Sequence, residues 1–492
     1  MNSPDNSFLA SFIKIDKKNT APVYVQVAQQ IINAIQRGIL SAGTALPGSR
    51  PLSKLLQLHR NTVVAAYDEL ASQGWIEIKP NKGSFVVQPK REKPQSFSPL
   101  NTSTLNYPQQ TGFHFYQPHH LTPPYETTKA SYTFNDGQPD IRLLSVSNLS
   151  RWYTAAMKRK SVVKQSFSLQ ESSIYEKQLC NYLNATRGFH ISSKNILTTR
   201  STDMSLYLIS QLLIQPGDIV LVGTPSYFSA NMIFHQAGAQ IKTIPVDENG
   251  LDVEYIRQNF QKNSIRCLYC TPHRHYPTTA TLSAERRLEL TTLARDYGFA
   301  IIEDDFDYDF QYDTFPMVPM ATADTYGMII YLGRFGQSLL PAFQTGFVIA
   351  PEHLILAAKN YRQMIDKQGD FILEHALAEM IYEGEIHRLL KKSVKTYKER
   401  RDLFCEQLEA TFGKLLQWEK PNGGLAVWIN FTLPVSLVQL AQEAQKNDLD
   451  LPKYLLYQDQ KTCGLRLGFG HLNEEEIPEV ISRLKKAYDA VI

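Results

Sequence analysis

Arg60, Asn61 and Thr62 are consecutive in the stretch HRNTVVAAY, and their side chains can form directed hydrogen bonds. An arginine can donate two hydrogen bonds to guanine, and an asparagine can pair in a similar way with adenine. A threonine hydroxyl can donate to a phosphate oxygen. Such a run at the start of a helix is suited to contacting base edges in the major groove of DNA.

The segments around this run have the pattern of a helix-turn-helix. Apolar residues at helical spacing predict a first helix over residues 22–37. A short helix is predicted over residues 51–57, capped by Ser49 or a neighbour, and a further helix from Arg60 to about Ser72. The next stretch, WIEIKPNKGSFVV, predicts two strands joined by a tight turn. Together these elements predict a winged helix-turn-helix.

Three more residues complete the set that we expect to contact DNA. Arg50 lies at the start of the short helix, where its guanidinium would meet the DNA backbone or a groove edge. Lys82 and Gly83 form the tip of the hairpin, and glycine lets the backbone approach a narrow groove closely. The alternative is an ordinary three-helix unit with surface arginines. The agreement of helix order, turn and basic tip favours DNA binding.

The charge distribution agrees with an anionic partner for the amino-terminal part. Residues 1–95 hold 12 Lys and Arg against 6 Asp and Glu, whereas the rest of the 492-residue chain holds 39 against 42. Residues 89–130 are rich in Pro, Gln, Ser and Thr and have no apolar period, so we predict a linker there. Its charged run at 90–93 could touch DNA, but we favour a solvated linker.

From about residue 131 the chain alternates apolar strands with helical segments. The strand segments are NILTTR, DIVLVG, AQIKTIPV, IRCLYC, FAIIEDD, GMIIYLG and FQTGFVIA. This alternation predicts an α/β fold with a mostly parallel sheet covered by helices. The predicted organisation is a DNA-binding domain at 1–88, a linker at 89–130 and a large domain at 131–492.

The cysteines and the amino terminus favour a cytoplasmic protein. The five cysteines are odd in number and sparse, which fits a reducing compartment. Cys267 and Cys270 match C-x-x-C, but a strand would direct them to opposite faces, so we expect no metal or redox site. The chain starts without a signal-peptide pattern, and no apolar run reaches membrane length. We therefore expect a soluble protein that is not bound to a membrane.

Residues 22–87, from PVYVQVAQQ to NKGSFV, resemble the GntR-type winged helix throughout. The resemblance implies that Arg50, Arg60, Thr62 and Gly83 contact double-stranded operator DNA.

Residues 131–492 resemble the fold-type I aminotransferases. The resemblance rests on QPGDIVLVGTPSY, TPHRHYPT, IIEDDFDYDF, YLGRFGQSLLP and GLRLGFGHL, in that order. The two parts together resemble the MocR branch of GntR regulators. This resemblance implies a homodimer in which each winged helix packs on the other subunit.

Three positions of the family's pyridoxal phosphate site are retained. Asp304 corresponds to the carboxylate that keeps the cofactor's pyridine nitrogen protonated, Tyr227 to the stacking aromatic residue, and Arg466 to the arginine that binds the substrate carboxylate. The alternatives are, in the same order, a loop-capping acid, a core tyrosine and a structural ion pair.

Other positions of this site depart from the family. Gln337 replaces the lysine that forms the Schiff base, and an amide cannot form an imine. Gln344 replaces the arginine that grips the phosphate, and Phe306 replaces a tyrosine that bonds the ring hydroxyl. Thr202 and Asp203 lie in the phosphate cup, where an aspartate would repel a phosphate dianion. We therefore expect no covalently bound pyridoxal phosphate, and we do not expect non-covalent binding.

Arg334 is a change in the opposite direction, because the family has Ser or Thr at this position. Its guanidinium could pair with Asp203 and fill the phosphate pocket, or it could hold a different anion. Both possibilities remain open from the residues alone.

These observations predict a sequence-specific transcription regulator rather than an enzyme. Its aminotransferase-like domain is expected to dimerise and to sense a small carboxylate or amino-acid-like effector, with Arg466 as the anchor. One alternative is a ligand-free platform that only spaces two winged helices on DNA. The other is an active pyridoxal enzyme in which Lys359 or Lys367 reaches the cofactor ring.

Overall fold

The computed structural model describes most of the chain, and the chain divides into two compact units. The first unit comprises residues 1–125 with the segments 433–436 and 458–463, and the second comprises the remainder. Most of the predicted linker and Gln337 lie outside the described residues. The described residues are 13, 15, 22–36, 40, 43–72, 75–79, 82–87, 111–115, 129–143, 146–159, 173–312, 317–336, 339, 343–367, 369–458 and 462–492.

The amino-terminal unit has the helix and strand order of a winged helix-turn-helix. Its elements are α1 Val23–Gln36, β1 Ala45–Leu46, α2 Ser49–Leu55, α3 Arg60–Ser72, β2 Ile76–Lys79 and β3 Gly83–Val86. The strands form an antiparallel sheet in the order β1-β3-β2. Val27 and Ile31 of α1 pack with Leu52 of α2 and with Val63 and Leu70 of α3 in one core. The predicted winged helix-turn-helix is confirmed.

The start of α2 differs from the sequence prediction. Ser49 is the first residue of this helix rather than its cap, because Leu52 N already donates to Gly48 O at 3.0 Å. No side chain caps the helix. The chain leaves α2 through Gln57, whose φ of 53° is left-handed, and α3 begins at Arg60 as predicted. Strand β1 was not predicted because two residues are too short to show a periodicity.

The second unit holds the remaining elements. In chain order they are β4 Tyr132–Thr133, α4 Val146–Lys158, α5 Ser173–Arg187, β5 Ile196–Thr199, α6 Thr202–Leu213, β6 Ile219–Thr224, α7 Phe228–Gln236, β7 Gln240–Asp247, β8 Gly250–Leu251, α8 Val253–Asn259, β9 Ile265–Cys270, α9 Ala284–Tyr297, β10 Ala300–Asp305, β11 Ile329–Phe335, β12 Thr345–Ile349, α10 Glu352–Ile365, α11 Phe371–Tyr382, α12 Glu385–Phe412, β13 Leu416–Trp418, β14 Ala426–Phe431, α13 Leu437–Lys446, β15 Leu449–Asp450, β16 Leu456–Gln458, β17 Cys463–Gly468 and α14 Glu476–Asp489.

The central sheet has eight strands in the order β5-β12-β11-β10-β9-β6-β7-β8. The five strands β7, β6, β9, β10 and β11 pair in parallel, whereas β12 is antiparallel to both of its neighbours. All seven predicted strand segments belong to this sheet, so the mostly parallel α/β fold is confirmed. Strands β5 and β12 are buried along their whole length, which explains why neither sequence alternates apolar with charged residues.

Helices cover both faces of this sheet. Leu206 of α6, Phe234 of α7 and Ile355 of α10 pack in one core, which also contains Cys267 of β9. Cys270 packs in a second core, with α8 and α9. Burial raises the pKa of both thiols, that of Cys267 to about 12. Neither cysteine therefore has the character of a ready thiolate.

A smaller antiparallel sheet, in the order β13-β14-β17-β16, carries Arg466 on β17. Over the described ranges, no group of His, Cys, Asp and Glu is arranged to hold a metal ion. The same ranges contain no helix with the length and apolar character needed to cross a bilayer.

Candidate functional site

The first turn of α3 presents polar side chains to solvent. Arg60 and Asn61 are exposed and Thr62 is half-buried. Arg60 Nε donates to Ser49 Oγ at 3.4 Å, which joins the first residues of α3 and α2. Arg50, the next residue of α2, is also exposed. Four of the predicted DNA contacts therefore lie at the amino-terminal ends of two consecutive helices.

The tip of the hairpin is basic and needs its glycine. Lys82 N donates to Lys79 O at 3.0 Å, and both Lys82 and Gly83 are exposed. Gly83 has a φ of 110°, which any other residue would adopt only with strain. The turn residues Pro80 and Asn81 lie outside the described residues.

In the large unit, a charged group lies near the carboxyl-terminal ends of the central strands β10 and β11. It consists of Asp304, Arg334 and Asp203. Asp304 and Arg334 are the penultimate residues of β10 and β11, and Asp203 lies in the first turn of α6. The register Asp304↔Leu332 puts Asp304 and Arg334 on the same face, because side chains alternate along a strand. Burial raises the pKa of Asp304 to about 7, and partial desolvation raises that of Asp203. The positive charge of Arg334 opposes both rises.

Three members of this region have unused hydrogen-bonding capacity. Asp304 Oδ2 accepts from the Tyr269 hydroxyl at 2.7 Å, but Asp304 Oδ1 is buried without a partner among the described residues. Thr202 Oγ1, at the start of α6, is likewise buried without a partner. The side chain of Arg334 forms neither a hydrogen bond nor an ion pair with any residue in the described part of the chain. Orphaned buried polar atoms are rare and indicate a missing partner.

Aromatic rings adjoin this charged group. The ring of Tyr227, just before α7, lies edge-on to Tyr276 with 4.9 Å between centroids. Tyr276 is in turn edge-on to Phe306 at 6.0 Å. Burial, and then the charge of Asp203, raise the pKa of the Tyr227 hydroxyl, so it stays protonated at physiological pH.

Arg466 is directed at the protein itself. Its side chain is buried, and its guanidinium lies over the Tyr276 ring at 4.8 Å from the centroid. Nε donates to Asp136 O and Nη1 to Pro277 O, both at 3.0 Å. With these contacts, Arg466 resembles a structural residue more than an arginine that is free to bind a substrate.

Four predicted site residues remain. Gln344 lines a cavity, and Gln337 is outside the described residues. Lys359, one of the two alternative imine-forming lysines, is 3.0 Å from Glu176 in an ion pair. The other, Lys367, is exposed.

The sequence analysis did not single out Tyr269 and Tyr276. Tyr269 lies on β9, directly beside β10, and alternation puts it on the same face as Asp304. That signal appears only once the strand order is known. Tyr276 lies in an irregular segment after β9, and no local pattern marks it.

The buried Asp304 predicts a stability that depends on pH. Its folded pKa, raised to about 7 mainly by burial, exceeds the usual unfolded value of about 4, so the folded state retains a proton that the unfolded state has lost. The free energy of unfolding should therefore fall between about pH 4 and pH 7. Asp304→Asn keeps an acceptor for Tyr269 but does not titrate. In urea denaturation, the free energy of unfolding of this variant should exceed that of the wild type by an amount that grows across that range. Identical dependence of both proteins on pH would contradict the raised pKa.

Two protein families match the chain, one in each unit. The family of aminotransferase class I and II matches residues 148–484, and the family of bacterial regulatory proteins described as gntR matches residues 23–86. The kynurenine aminotransferase of Pyrococcus horikoshii has a similar fold, with a TM-score of 0.67 and 24% identity over 73% of this chain and 90% of that chain.

Relatives along nearly the whole chain are regulators. The uncharacterized HTH-type transcriptional regulator YdfD of Bacillus subtilis (strain 168) is 27% identical over 96% of this chain and 98% of its own. The probable rhizopine catabolism regulatory protein MocR of Rhizobium meliloti is 23% identical over 97% of this chain and 96% of its own. The chain thus belongs to the aminotransferase class I and II family and, through its gntR-family DNA-binding domain, is a transcriptional regulator of the MocR type.

Proposed function

We propose that this regulator binds its operator as a homodimer and responds to a small amino-acid-like molecule held without a covalent bond. The observation that carries this proposal is the pair of orphaned buried atoms, Asp304 Oδ1 and Thr202 Oγ1, in the same region as the unpaired Arg334. A ligand carboxylate would pair with the guanidinium, and a ligand ammonium would donate to Asp304. Such a ligand would remove the cost of leaving these groups unsatisfied.

We propose that Arg334, rather than Arg466, binds the carboxylate of the ligand. A carboxylate that approached Arg466 would have to compete with the two backbone carbonyls that its guanidinium already contacts. Arg334 has no such competitors, and it is half-buried, so water would screen its charge only in part.

The donor set does not fit covalently held pyridoxal phosphate. The unpaired Asp304 Oδ1 would suit a pyridine N–H, so one end of the cofactor has a matching group. At the other end, position 337 is an amide, and Asp203 would face the phosphate dianion. We therefore derive no chemical step from this cofactor.

Exposed apolar side chains support dimerisation. Met364 and Ile365, at the end of α10, are 75% and 56% exposed, and Tyr382, at the end of α11, is 75% exposed. Large apolar groups exposed in this way are typical of protein contact surfaces. Two copies of the winged helix would match an operator built from two half-sites.

Operator binding with and without candidate effectors tests the proposal. Amino acids and simple carboxylates are added to purified protein and operator DNA, and the dissociation constant is measured by gel shift. A true effector should change affinity at least about fivefold, which is the usual lower range of such coupling. Arg334→Gln should abolish this change but keep the ligand-free affinity.

Two rival functions predict different results. A ligand-free platform predicts that no small molecule changes operator affinity and that Arg334→Gln has no effect. An active pyridoxal enzyme predicts a visible aldimine band and, after borohydride reduction, a cofactor adduct on a lysine. Lys359 would first have to leave its ion pair with Glu176.

A further inference from the structure

A cavity of about 200 Å³ is lined by residues that do not include the charged group Asp203, Asp304 and Arg334. It is enclosed by the end of β5, the start of β12 and the helices α10 and α11. Its volume corresponds to roughly six or seven water molecules, enough for a small organic molecule. The charged side chains that line it are Arg200, Arg362, Asp366, Asp370 and Glu374, and the uncharged polar ones are Thr199, Gln344 and Thr345.

Both arginines of the cavity are already bound by the protein. Arg200 Nε pairs with Asp366 Oδ2 at 2.9 Å, and Arg200 Nη2 donates to Gly369 O at 2.7 Å. Arg362 is buried and donates to Thr198 O at 2.7 Å. The positive charge is therefore directed at the walls.

Two carboxyl groups retain acceptor capacity. Glu374 is only 7% exposed. Within the described chain, its carboxyl group accepts one hydrogen bond, from Thr198 Oγ1 at a long 3.4 Å. Asp370 uses Oδ1 to accept from Leu373 N at 3.1 Å, at the start of α11. A carboxylate offers about four lone-pair sites, so most remain unused in both groups.

We propose that this cavity binds a small organic cation whose primary ammonium group lies between Asp370 and Glu374. An ammonium group has three donors and no acceptor, so it matches carboxylates with spare lone pairs and does not match the bound arginines. The cavity carries three carboxyl groups against two guanidinium groups, which leaves an excess of one negative charge when all are ionised. The amide of Gln344 offers a polar contact to the other end of the molecule.

The environment of Glu374 makes this binding depend on pH. Burial raises its pKa to about 8, Arg362 opposes the rise, and the nearby acids add to it. A bound ammonium favours the ionised form, so affinity should increase as the pH rises towards and past about 8. The other groups that face Glu374 or its neighbours are Tyr175, Glu176, Lys359 and Asp370.

Calorimetric titration of the full-length protein tests the proposal with three probes of equal length. These are 1,4-diaminobutane, the neutral 1,4-butanediol and the dianion succinate. The diamine should bind at least about tenfold more tightly than the other two, and more tightly at about pH 8.5 than at about pH 6.5. Glu374→Gln and Asp370→Asn should each weaken diamine binding at least about tenfold, and asparagine still caps α11.

Glu406→Gln is the matched control, because it removes an exposed carboxylate of α12 that does not line the cavity. It should leave diamine binding unchanged. Equal affinity for the diamine and the diol, preference for succinate, or no binding of the diamine would overturn the proposal. So would loss of binding in Glu406→Gln with retention in Glu374→Gln. Near-identical thermal midpoints of all variants confirm that each protein is folded.

Discussion

Arg60→Ala is expected to weaken binding to specific operator DNA by about 1–3 kcal/mol, the usual worth of a bidentate contact to a base. Arg60 is exposed in the first turn of α3, the position from which such a helix contacts base edges. Its only hydrogen bond in the described chain, to Ser49 Oγ at 3.4 Å, is long and exposed. The substitution should therefore leave the stability of the winged helix nearly unchanged.

The measurement compares specific with non-specific DNA. An operator is selected from random duplexes by the wild-type protein, and dissociation constants are measured at fixed salt concentration. Arg60→Lys is the matched control, because lysine retains the charge but lacks the planar fork that pairs with guanine. If Arg60 reads a base, both variants lose specificity and the lysine variant retains non-specific affinity. If the alanine variant lost the same affinity for all DNA sequences, Arg60 would contact only a phosphate.

Arg187→Met should destabilise the large unit by about 3–5 kcal/mol, the cost of removing one partner from a buried ion pair. Arg187 is almost fully buried. Its guanidinium donates to the Tyr331 hydroxyl and pairs with Asp309 at 3.0 Å, and it lies 4.5 Å from the centre of the Tyr308 ring. Tyr331 also donates to Asp305 at 2.8 Å. Methionine would fill the space but leave Asp309 without the cation that pairs with it.

The effect should reach the ligand region, because Asp305, which Tyr331 connects to Arg187, directly follows Asp304 in the chain. Arg266→Met is the control: Arg266 pairs with Asp218 at 2.7 Å, but its side chain is 46% exposed. Exposed pairs contribute at most about 1 kcal/mol. Urea denaturation should therefore show a much larger loss of unfolding free energy in Arg187→Met than in Arg266→Met. A similar small loss in both would mean that the buried network contributes little net stability.

The sequence by itself determined the elements and the fold class. Apolar residues at helical spacing predicted α1, and the turn at Gln57–His59 predicted that α3 starts at about Arg60. Seven apolar runs predicted the seven long strands of the central sheet. These features depend on interactions within a few residues of one another, or on burial of a whole strand, so local composition and periodicity report them.

Only the tertiary structure decided which side chains meet. The Tyr269–Asp304 bond joins residues 35 positions apart, the Arg187–Asp309 pair spans 122, and the Arg466–Asp136 contact spans 330. The pattern around Arg466 is compatible with a ligand anchor, but its bonds to backbone carbonyls appear only after folding. The cavity at Glu374 is likewise invisible in the sequence, because segments distant in the chain supply its walls. Contacts of this kind depend on strand order and helix packing, and no local pattern encodes them.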